Sequence, residues 1–422
     1  MDIKKLWQNW YGARIAILGF GREGQDTFLF LRKLFPKKII GVADQIKDLR
    51  LKIKDKNVQL HVGKDYLSSL KNYDIVIKSP GIPFKILPKS ALKKIKTQTD
   101  IFFENCPGQI VGITGTKGKS TTTSLIYAIL KEAGIPAHLV GNIGTPVLNF
   151  LKNATKKEVY VYELSSHQLC NLKKSPHIAV FLNIFHEHLD YYRNFQEYAR
   201  SKANITLYQK KGDYLVYNSE DKLIKEFAKK SKAKKIPIKG EYYDLDKNAA
   251  RQVGKIFEIP EKIIEKAING FKSLPHRLEL VGTYKGITFY NDALSTIPET
   301  AIFAIEKLGK DVQTIFLGGF DRNIDFKKLA KEILKNKNIK NLILFPTTGE
   351  KIWREILRQS HSEHVPQHFF VDNMEDAVKI AYSVTEKGKI ALLSCASTSF
   401  SIFRDYQEKG DLFKKFVKKY AQ

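Results

Sequence analysis

Cysteine is scarce in this 422-residue chain, which contains only three. Cys106, Cys170 and Cys395 are too few and too far apart for a disulfide framework or a metal cluster, so we expect a reducing compartment. Long apolar runs are also lacking: none approaches the roughly 18–20 residues that a membrane span requires. The first run, Ile15–Leu18, is too short for the core of a signal peptide. We therefore expect a soluble, cytoplasmic protein with no membrane partner.

The chain is also poor in acidic residues, with 44 Asp and Glu against 71 Lys and Arg and a formal charge of +27. Only 12 of the basic residues are arginines, the type favoured for bidentate recognition of phosphates and bases. The other 59 are lysines, spread over the whole chain and mostly beside acidic residues. We interpret the charge as a lysine-rich composition and expect no nucleic-acid partner. A basic nucleic-acid-binding ATPase is the alternative that the charge suggests.

Hydrophobic residues make up 43% of the chain, which excludes a disordered protein, and the length suggests two to four domains. Short apolar, β-branched runs recur, and each is followed by a turn and a helical pattern. We predict strands at Arg14–Leu18, Lys38–Val42, Asp74–Lys78, Gln109–Thr114, Val159–Glu163, Ile178–Asn183, Tyr214–Asn218, Ile287–Asn291, Thr314–Leu317, Asn341–Phe345 and Lys389–Ser394. Near-continuous apolar strands that alternate with helices indicate an α/β fold with parallel sheets covered on both faces.

Eleven strands are more than one open sheet comfortably holds, so the chain should divide into domains. Two segments have the composition of joints between domains, namely Asn105–Gly108 and Gly270–Pro275. We therefore predict three α/β domains, at residues 1–106, 107–274 and 275–422.

A glycine-rich turn follows the first predicted strand and opens a helical pattern; it reads Gly19-Phe20-Gly21-Arg22-Glu23-Gly24. Asp44 ends the next strand, about 20 residues further on. In a dinucleotide fold, such glycines let the backbone approach a pyrophosphate at the helix N-terminus, and the acidic residue holds a ribose. The pattern predicts a nucleotide-like ligand. An NAD-dependent oxidoreductase, or a tight turn without a ligand, would also fit it.

A second glycine-rich segment follows another predicted strand and leads into a helix; it reads Gly112-Ile113-Thr114-Gly115-Thr116-Lys117-Gly118-Lys119-Ser120-Thr121-Thr122-Thr123. Successive backbone N–H groups in such a loop can surround phosphate oxygens. Lys119 would reach the β- and γ-phosphates, and the Ser120 hydroxyl would bind Mg²⁺. The strict P-loop has glycine where this chain has Ile113, so the segment fits the variant form T-G-T-x-G-K-S.

Acidic and imidazole groups follow the next strands. Glu163-Leu164-Ser165-Ser166 ends one strand, and the run from Asn183 to Asp190 follows another. Because the carboxyl ends of neighbouring strands face the nucleotide in a P-loop fold, Glu163 is placed to meet its magnesium. His186 and His188 have the spacing of metal ligands, although such pairs are more often loop residues.

Taken in order along the chain, five segments resemble the Mur ligase family: Gly115–Ser120, Glu163–Ser166, Asn183–Asp190, Leu274–Glu279 and Asn291-Asp292. The glycine turn at the start, Ser79–Pro83, and the C-terminal motifs between Leu392 and Phe413 resemble the family members that add glutamate. The resemblance implies a Rossmann-like N-terminal domain, a central P-loop ATPase-type domain with a parallel sheet, and a C-terminal Rossmann-like domain.

The resemblance also implies an activity: an ATP-dependent ligase that joins glutamate to the alanyl carboxylate of UDP-N-acetylmuramoyl-L-alanine, through an acyl phosphate, in peptidoglycan precursor synthesis. ATP and Mg²⁺ would be the cofactors, the two substrates would be the partners, and the protein would be a monomer. The first glycine turn would then hold the uridine diphosphate of the substrate and not NAD. By position, the residues lining that pocket would be Gly21, Arg22, Glu23, Asp44, Gly81 and Asn142.

Further site residues follow from the resemblance alone. The ATP-binding residues would be Gly115, Thr116, Lys117, Gly118, Lys119, Ser120, Thr121, Arg277 and Asp292. Ser120 and Glu163 match ligands of a first magnesium ion. His188 and Lys202 match ligands of a second, and family members carbamylate the lysine at this position. With Lys119, these two would be the catalytic residues.

The incoming glutamate would be bound by Arg322, Ser399 and Tyr406, since guanidinium and hydroxyl donors suit a carboxylate. The chain departs from the family pattern near this site: Leu294 stands where a lysine is usual, and Arg322 itself replaces a lysine. The segment Gly240–Asp246 also departs from the usual G-x-H-N-x-x-N. These changes leave D- or L-glutamate, or another amino acid, open. A different ligase of the superfamily, such as a folylpolyglutamate synthase, should lack the first domain.

Overall fold

The computed structural model of the protein describes residues 8–51, 53–187, 191–240, 242–272, 274–360 and 365–422. Its α/β architecture, built on three sheets, confirms the predicted fold class. The chain forms two compact units, Met1–Phe271 and Lys272–Gln422, and each has its own apolar cores. No helix within the described ranges is long and apolar enough to cross a membrane.

The first sheet consists of five parallel strands. They are β1 (Ile15–Leu18), β2 (Ile40–Asp44), β3 (Val58–Val62), β4 (Ile75–Lys78) and β5 (Ile95–Thr97). Their order is β3-β2-β1-β4-β5, so the chain leaves β1 toward one side and returns on the other with β4. The loops that follow β1 and β4 therefore meet at a crevice, as in other open α/β sheets. The glycine turn and Ser79–Pro83 are those loops.

The second sheet consists of six parallel strands. They are β6 (Gln109–Thr114), β7 (Ala137–Gly141), β8 (Val159–Glu163), β9 (Ile178–Phe181), β10 (Tyr214–Asn218) and β11 (Lys234–Ile238). Their order is β11-β10-β9-β6-β8-β7, which puts β6 between β8 and β9. The P-loop after β6, Glu163 at the end of β8 and Asn183 beyond β9 thus lie at one edge of the sheet.

Helices connect these strands. Those of the first unit are α1 (Arg22–Leu34), α2 (Gln98–Asn105), α3 (Lys119–Glu132), α4 (Ser166–Leu169), α5 (Phe195–Leu207), α6 (Lys222–Lys230), α7 (Tyr242–Ile256) and α8 (Glu261–Asn269). Short 3-10 helices span Lys47–Leu51, Ser68–Asn72, Phe84–Ile86, Lys89–Lys94 and Leu148–Lys152. Both glycine-rich segments end in the first turn of a helix, α1 or α3, where free backbone N–H groups favour anions.

The first two sheets share one core. The Phe102 ring of α2 packs edge-on against Tyr160 and Tyr162 of β8, with ring centroids 5.1 and 5.8 Å apart. The joint expected at Asn105–Gly108 therefore lies inside the first compact unit, whereas the units divide after Phe271. The three domain boundaries stay a prediction.

The third sheet, in the second unit, is mixed. Its strands are β12 (Glu279–Tyr284), β13 (Ile287–Asn291), β14 (Val312–Gly318), β15 (Asn341–Phe345), β16 (Gln367–Phe370) and β17 (Ile390–Leu393), in the order β12-β13-β17-β14-β15-β16. Its helices are α9 (Pro298–Leu308), α10 (Lys327–Lys335), α11 (Thr348–Gln359), α12 (Met374–Val384) and α13 (Tyr406–Lys419), with a 3-10 turn at Gly309–Asp311.

The prediction of parallel sheets is wrong for one strand pair of this third sheet. β12 and β13 are antiparallel because a two-residue turn, Lys285-Gly286, joins them directly. Both turn residues have positive φ, +50° and +83°, which is the geometry of a tight hairpin. The remaining pairs of this sheet are parallel, as predicted.

Candidate functional sites

The P-loop is a tight turn that only glycine permits at one position. Gly118 has a φ of +82°, and a Cβ placed there would lie 2.2 Å from Oδ1 of Asp246. The same Asp246 oxygen accepts a hydrogen bond from the Thr122 hydroxyl at 2.9 Å. The next residue, Lys119, starts α3, so the loop presents its backbone N–H groups at the beginning of a helix.

Asn183 fixes the P-loop from the neighbouring strand. Its Oδ1 accepts from the Lys117 amide at 2.8 Å, and its Nδ2 donates to the Lys117 carbonyl at 3.1 Å. Its own carbonyl accepts from the Thr116 amide at 2.8 Å. The Thr116 hydroxyl is 2.8 Å from the Tyr198 hydroxyl of α5. These contacts set the loop's shape without a ligand.

Two lysines converge on one carbonyl of this loop. Lys119 Nζ donates to the Gly115 carbonyl at 3.0 Å and to the Thr116 carbonyl at 2.8 Å. Lys202 Nζ, from α5, donates to the same Gly115 carbonyl at 2.7 Å, and its residue is only 2% exposed. Burial, and then the Lys119 ammonium, hold the pKa of Lys202 well below its ordinary range. The structure therefore brings the predicted pair together at the P-loop.

Glu163 is buried, and the structure shows a hydrogen-bond partner for one of its two carboxylate oxygens. The residue is 1% exposed, and Oε1 accepts from Asn142 Nδ2 at 2.9 Å. Oε2 is buried and has no hydrogen-bond partner among the described residues. Glu163 pairs in register with Ile113, so it lies beside the start of the P-loop. An unsatisfied buried carboxylate oxygen costs free energy, and a hard cation would satisfy it.

The predicted magnesium ligands are only partly covered by the structure. His188 lies outside the described residues, and its neighbour His186 stacks on Phe195 with centroids 3.9 Å apart. Among the described residues, no group of three or more His, Cys, Asp or Glu side chains could hold a metal ion. A magnesium site here would therefore need oxygen ligands of other kinds, such as the Ser120 hydroxyl and phosphate oxygens.

A cavity of about 510 Å³ opens at the crevice of the first sheet. All six residues that the resemblance assigns to the UDP-linked substrate line it: Gly21, Arg22, Glu23, Asp44, Gly81 and Asn142. The structure brings the six together. Their binding roles stay predictions.

The glycine turn at this cavity is closely packed. A Cβ on Gly24 would lie 2.0 Å from the Gly19 carbonyl oxygen, and Gly19 itself has a φ of +86°. The two Asp44 oxygens accept from the backbone amides of Phe20 and Ile46, at 2.7 and 2.9 Å. Asp44 thus stabilises the turn besides facing the cavity.

Arg22 and Glu23 connect this cavity to the second sheet. The Arg22 guanidinium donates to the carbonyls of Asn142, at 3.4 Å, and Gly144. Glu23 Oε1 accepts from Gln168 Nε2 of α4 at 2.6 Å. Burial raises the pKa of Glu23 from 4.5 to about 7, although the hydrogen bond from Gln168 opposes this. Asn142 contacts both Arg22 and Glu163, so the cavity borders the P-loop edge.

Sequence reasoning missed Lys78, which lies beneath the same cavity. It ends β4 and is 1% exposed, and its Nζ donates to the carbonyls of Ser79 at 3.0 Å and Ile82 at 2.8 Å. Burial lowers its pKa to about 8. Lys78 therefore holds the loop that forms one wall of the cavity. A lysine that ends an apolar strand, as in Ile75-Val76-Ile77-Lys78, was the only signal available.

In the second unit, Asp292 links two segments. Its Oδ1 accepts from the Leu278 amide at 3.1 Å, and its Oδ2 accepts from the Ser394 hydroxyl at 2.9 Å. Asp292 thus joins the segment that carries Arg277 to the end of β17. The Leu294 amide donates to the His276 carbonyl at 3.1 Å, so the leucine that replaces the usual lysine contributes a backbone contact.

The candidate residues for glutamate binding lie in two loops of the second unit and at the start of a helix. A backbone hydrogen bond joins the two loops. The Phe320 amide donates to the Thr398 carbonyl at 2.8 Å, which brings the loops of Arg322 and Ser399 together. The Arg322 guanidinium lies over the Phe400 ring, 5.8 Å from its centroid. The hydroxyls of Thr398 and Ser399 are buried without a hydrogen-bond partner among the described residues.

The third glutamate-site candidate, Tyr406, begins α13, and its ring contacts His276 with centroids 6.0 Å apart. His276 also explains a glycine of the same helix, because a Cβ on Gly410 would lie 2.1 Å from His276 Nδ1. The structure therefore places Tyr406 beside the segment that carries Arg277.

This chain is similar to proteins of known family, in some cases over nearly its whole length. The family model described as the Mur ligase middle domain matches residues 113–284. The UDP-N-acetylmuramoylalanine–D-glutamate ligase of Acetivibrio thermocellus is 30% identical over 465 residues, covering 99% of this chain and 98% of that protein. A MurF ligase structure from Thermotoga maritima, in complex with ADP, has a TM-score of 0.60 at 16% identity and covers 97% of both chains.

A bifunctional folylpolyglutamate synthase/dihydrofolate synthase from Yersinia pestis has a similar fold over a smaller part of the chain. Its TM-score is 0.55 at 14% identity, and it covers 77% of this chain and 93% of its own. The Mur ligase structure, by contrast, is matched almost end to end. With a relative at 30% identity matched over nearly its full length, this chain belongs to the Mur ligase family.

Proposed function

We propose that this protein is an ATP-dependent ligase that joins D-glutamate to UDP-N-acetylmuramoyl-L-alanine in the synthesis of peptidoglycan precursors, in the cytoplasm and as a monomer without nucleic acid. The observation that carries the proposal is the P-loop edge, where Lys119, Lys202 and the uncommitted Glu163 oxygen lie together. The end-to-end similarity to a ligase of that name supports the choice of substrates.

The reaction has two steps. An oxygen of the alanyl carboxylate attacks the γ-phosphorus of ATP, the bond to the β–γ bridging oxygen breaks, and ADP leaves. The glutamate amine then attacks the carbonyl carbon of the acyl phosphate, inorganic phosphate leaves, and the amine loses a proton as the amide forms. Both steps bring anions together, so positioned cations lower the barrier. We assign Lys119 to the transferred phosphoryl group, and Arg277 and Asp292 to the nucleotide.

Magnesium fits the residues at the P-loop edge. Ser120 and Glu163 would hold one ion, and the buried Glu163 oxygen without a partner is the observation that favours it. His188 and Lys202 would hold a second. Bound magnesium would neutralise charge on the triphosphate. The lowered pKa of Lys202 favours its neutral amine, which is the form that adds to carbon dioxide to give an anionic carbamate and release a proton.

The substrates would occupy both units. The cavity of the first sheet, lined by the six predicted residues, would take the uridine diphosphate. Arg322, Ser399 and Tyr406 would bind the glutamate, and the buried hydroxyl of Ser399 would gain a carboxylate acceptor.

The proposal is tested by phosphate release from ATP with UDP-N-acetylmuramoyl-L-alanine and either D-glutamate or L-glutamate. We expect release that requires both substrates and is faster with the D-isomer. Lys119→Ala should abolish it, whereas Lys131→Ala, at an exposed position in the last turn of the same helix, should retain it. Undiminished turnover by Lys119→Ala would contradict the mechanism, and release with neither isomer would contradict the substrates.

A further inference from the structure

Glu23 puts a carboxylate where the proposed function puts a diphosphate. It lies in the first turn of α1, and it lines the cavity together with Arg22 and Asp44. A UDP-linked substrate brings two negative charges to this helix N-terminus. Like charges at such short range, in a partly buried site, repel strongly. An ionised Glu23 would therefore oppose the ligand that the cavity is proposed to bind.

The neighbouring cations do not form ion pairs with Glu23 among the described residues. Arg22 donates to the Asn142 and Gly144 carbonyls, and Lys78 donates to the Ser79 and Ile82 carbonyls. Their charges favour the ionised carboxylate only from a distance. Asp26 on the same helix disfavours it, as does burial, which is the largest contribution. Tyr162 of β8 also faces this group, and its own pKa is raised by burial and by Glu23.

Hydrogen bonding determines which Glu23 oxygen carries the proton in the neutral form. Gln168 Oε1 accepts from the Ser165 amide at 2.9 Å and lies 3.1 Å from the Ser165 hydroxyl. That contact fixes the orientation of the Gln168 amide, so its Nε2 donates to Glu23 Oε1 at 2.6 Å. Because Oε1 is an acceptor, the proton of a neutral Glu23 belongs on Oε2.

From this geometry we infer that Glu23 takes up one proton when the UDP-linked substrate enters the cavity, and then donates a hydrogen bond from Oε2 to an anionic oxygen of that substrate. The inference rests on the proposed function, because it assumes a nucleoside diphosphate ester as the ligand. Protonation removes the repulsion and supplies a donor at a place where the ligand needs one. The pKa of about 7 in the free protein means that little free energy is needed to add the proton near neutral pH.

Calorimetric titration with UDP-N-acetylmuramoyl-L-alanine tests the inference. Binding enthalpies are measured at pH 8 in Pipes and in Tris, whose ionisation enthalpies differ, so that their difference gives the protons exchanged. With a pKa of about 7 in the free protein, Glu23 is about one-tenth protonated at pH 8, so we expect an uptake of about 0.9 proton per substrate if it is fully protonated in the complex. The substrate is preferable to free UDP, because the terminal phosphate of UDP titrates near pH 6 and would add its own proton exchange at the lower end of the pH range.

Glu23→Gln keeps the side-chain shape and cannot titrate, so it should take up markedly less proton than the unmodified protein; any uptake that remains belongs to other groups such as Lys78, whose pKa is about 8. Between pH 6.5 and 8.5 the affinity of the unmodified protein should fall by up to about 20-fold more than that of Glu23→Gln. Glu104→Gln is the matched control. Glu104, in α2, forms an ion pair with Lys96 at the protein surface, and this variant should retain normal proton uptake.

Two results would overturn the inference while leaving the proposed function intact. One is tight substrate binding by the unmodified protein at pH 8 without proton uptake. The other is equal uptake by Glu23→Gln and the unmodified protein, which would assign the proton to another group. Failure of the unmodified protein to bind the substrate at any pH would instead contradict the proposed function.

Discussion

Glu23→Gln should stabilise the ligand-free protein at alkaline pH. The folded-state pKa of Glu23 is about 7, against an ordinary value of 4.5, so between these pH values the folded protein holds more protons than the unfolded chain. Stability must therefore fall as the pH rises through this window, and the loss is complete above pH 7. Glutamine lacks the titration, so the variant avoids the loss.

The size of the effect follows from the pKa values. The difference of about 2.5 pH units corresponds to about 3.4 kcal/mol at 1.36 kcal/mol per unit. Glu23 faces a cavity and is only partly screened from water, which reduces the cost of its charge. We expect Glu23→Gln to gain about 2 kcal/mol over the unmodified protein at pH 8, and close to nothing at pH 4.5.

Urea unfolding followed by tryptophan emission can measure this difference in the first unit alone. The chain has three tryptophans, and Trp353→Phe removes the one in the second unit. Trp10, which is buried in the core shared with β1 and α1, then reports on the first unit. The free energy of unfolding is then measured at several pH values for Trp353→Phe and for the double variant that also carries Glu23→Gln.

The shape of the pH profile decides the outcome. Our reasoning requires a difference that grows between pH 4.5 and 7 and is constant above. A difference that is the same at pH 5 and pH 8 would refute it, because a lost or gained packing contact does not titrate. A less stable Glu23→Gln at pH 8 would refute it as well, since the ionised carboxylate would then be the favoured form.

Three further changes have expected outcomes. Gly118→Ala should lower ATP affinity and thermal stability, because Gly118 has a φ of +82° and Asp246 leaves no room for a Cβ. Gly134→Ala is its control: Gly134 has a φ of +71° but open space around it, so this variant should lower the free energy of unfolding by only about 1 kcal/mol. Arg322→Ala should raise the KM for glutamate at least about tenfold in the phosphate-release assay, with the KM for the UDP-linked substrate unchanged. Lys78→Met should show the reverse pattern, a KM raised about tenfold for the UDP-linked substrate, because two carbonyls of the cavity wall lose their donor.

The strands that sequence patterns predicted are those inside the sheets. All eleven predicted strands are present, and each has a hydrogen-bonded neighbour on both sides. The six that were missed, β3, β5, β7, β11, β12 and β16, are the two edges of each sheet. An interior strand between two helical layers is apolar throughout, as in Ile15–Leu18, whereas edge strands such as Lys234–Ile238 and Gln367–Phe370 expose many side chains. Apolar runs therefore detect burial, and most edge strands escape detection because they are less buried; β7, which has no exposed residue, is an exception.

The same reason explains which site residues the sequence could indicate. Glycine-rich turns after apolar strands are local patterns, so the two loops at Gly19 and Gly118 were predictable. Gln168 reaches Glu23 only because two different sheets pack in one unit, and no spacing along the chain expresses that contact. Asp246 is similar, since it approaches Gly118 from a helix more than 120 residues away. Packing across distant segments is what a single sequence leaves undetermined.

The lysines show most directly what a single sequence leaves undetermined. With 59 lysines and a net charge of +27, no lysine stands out in the sequence by composition, and the charge itself does not identify an anionic ligand. Burial does distinguish them: Lys78, Lys202 and Lys409 are the buried lysines of the described residues. A buried amino group needs hydrogen-bond partners, and Lys78 and Lys202 obtain them from loop carbonyls at the two candidate ligand sites. Each is therefore fixed to the conformation of a loop at a candidate site, and burial, which the composition does not reveal, is what distinguishes these two lysines from the exposed ones.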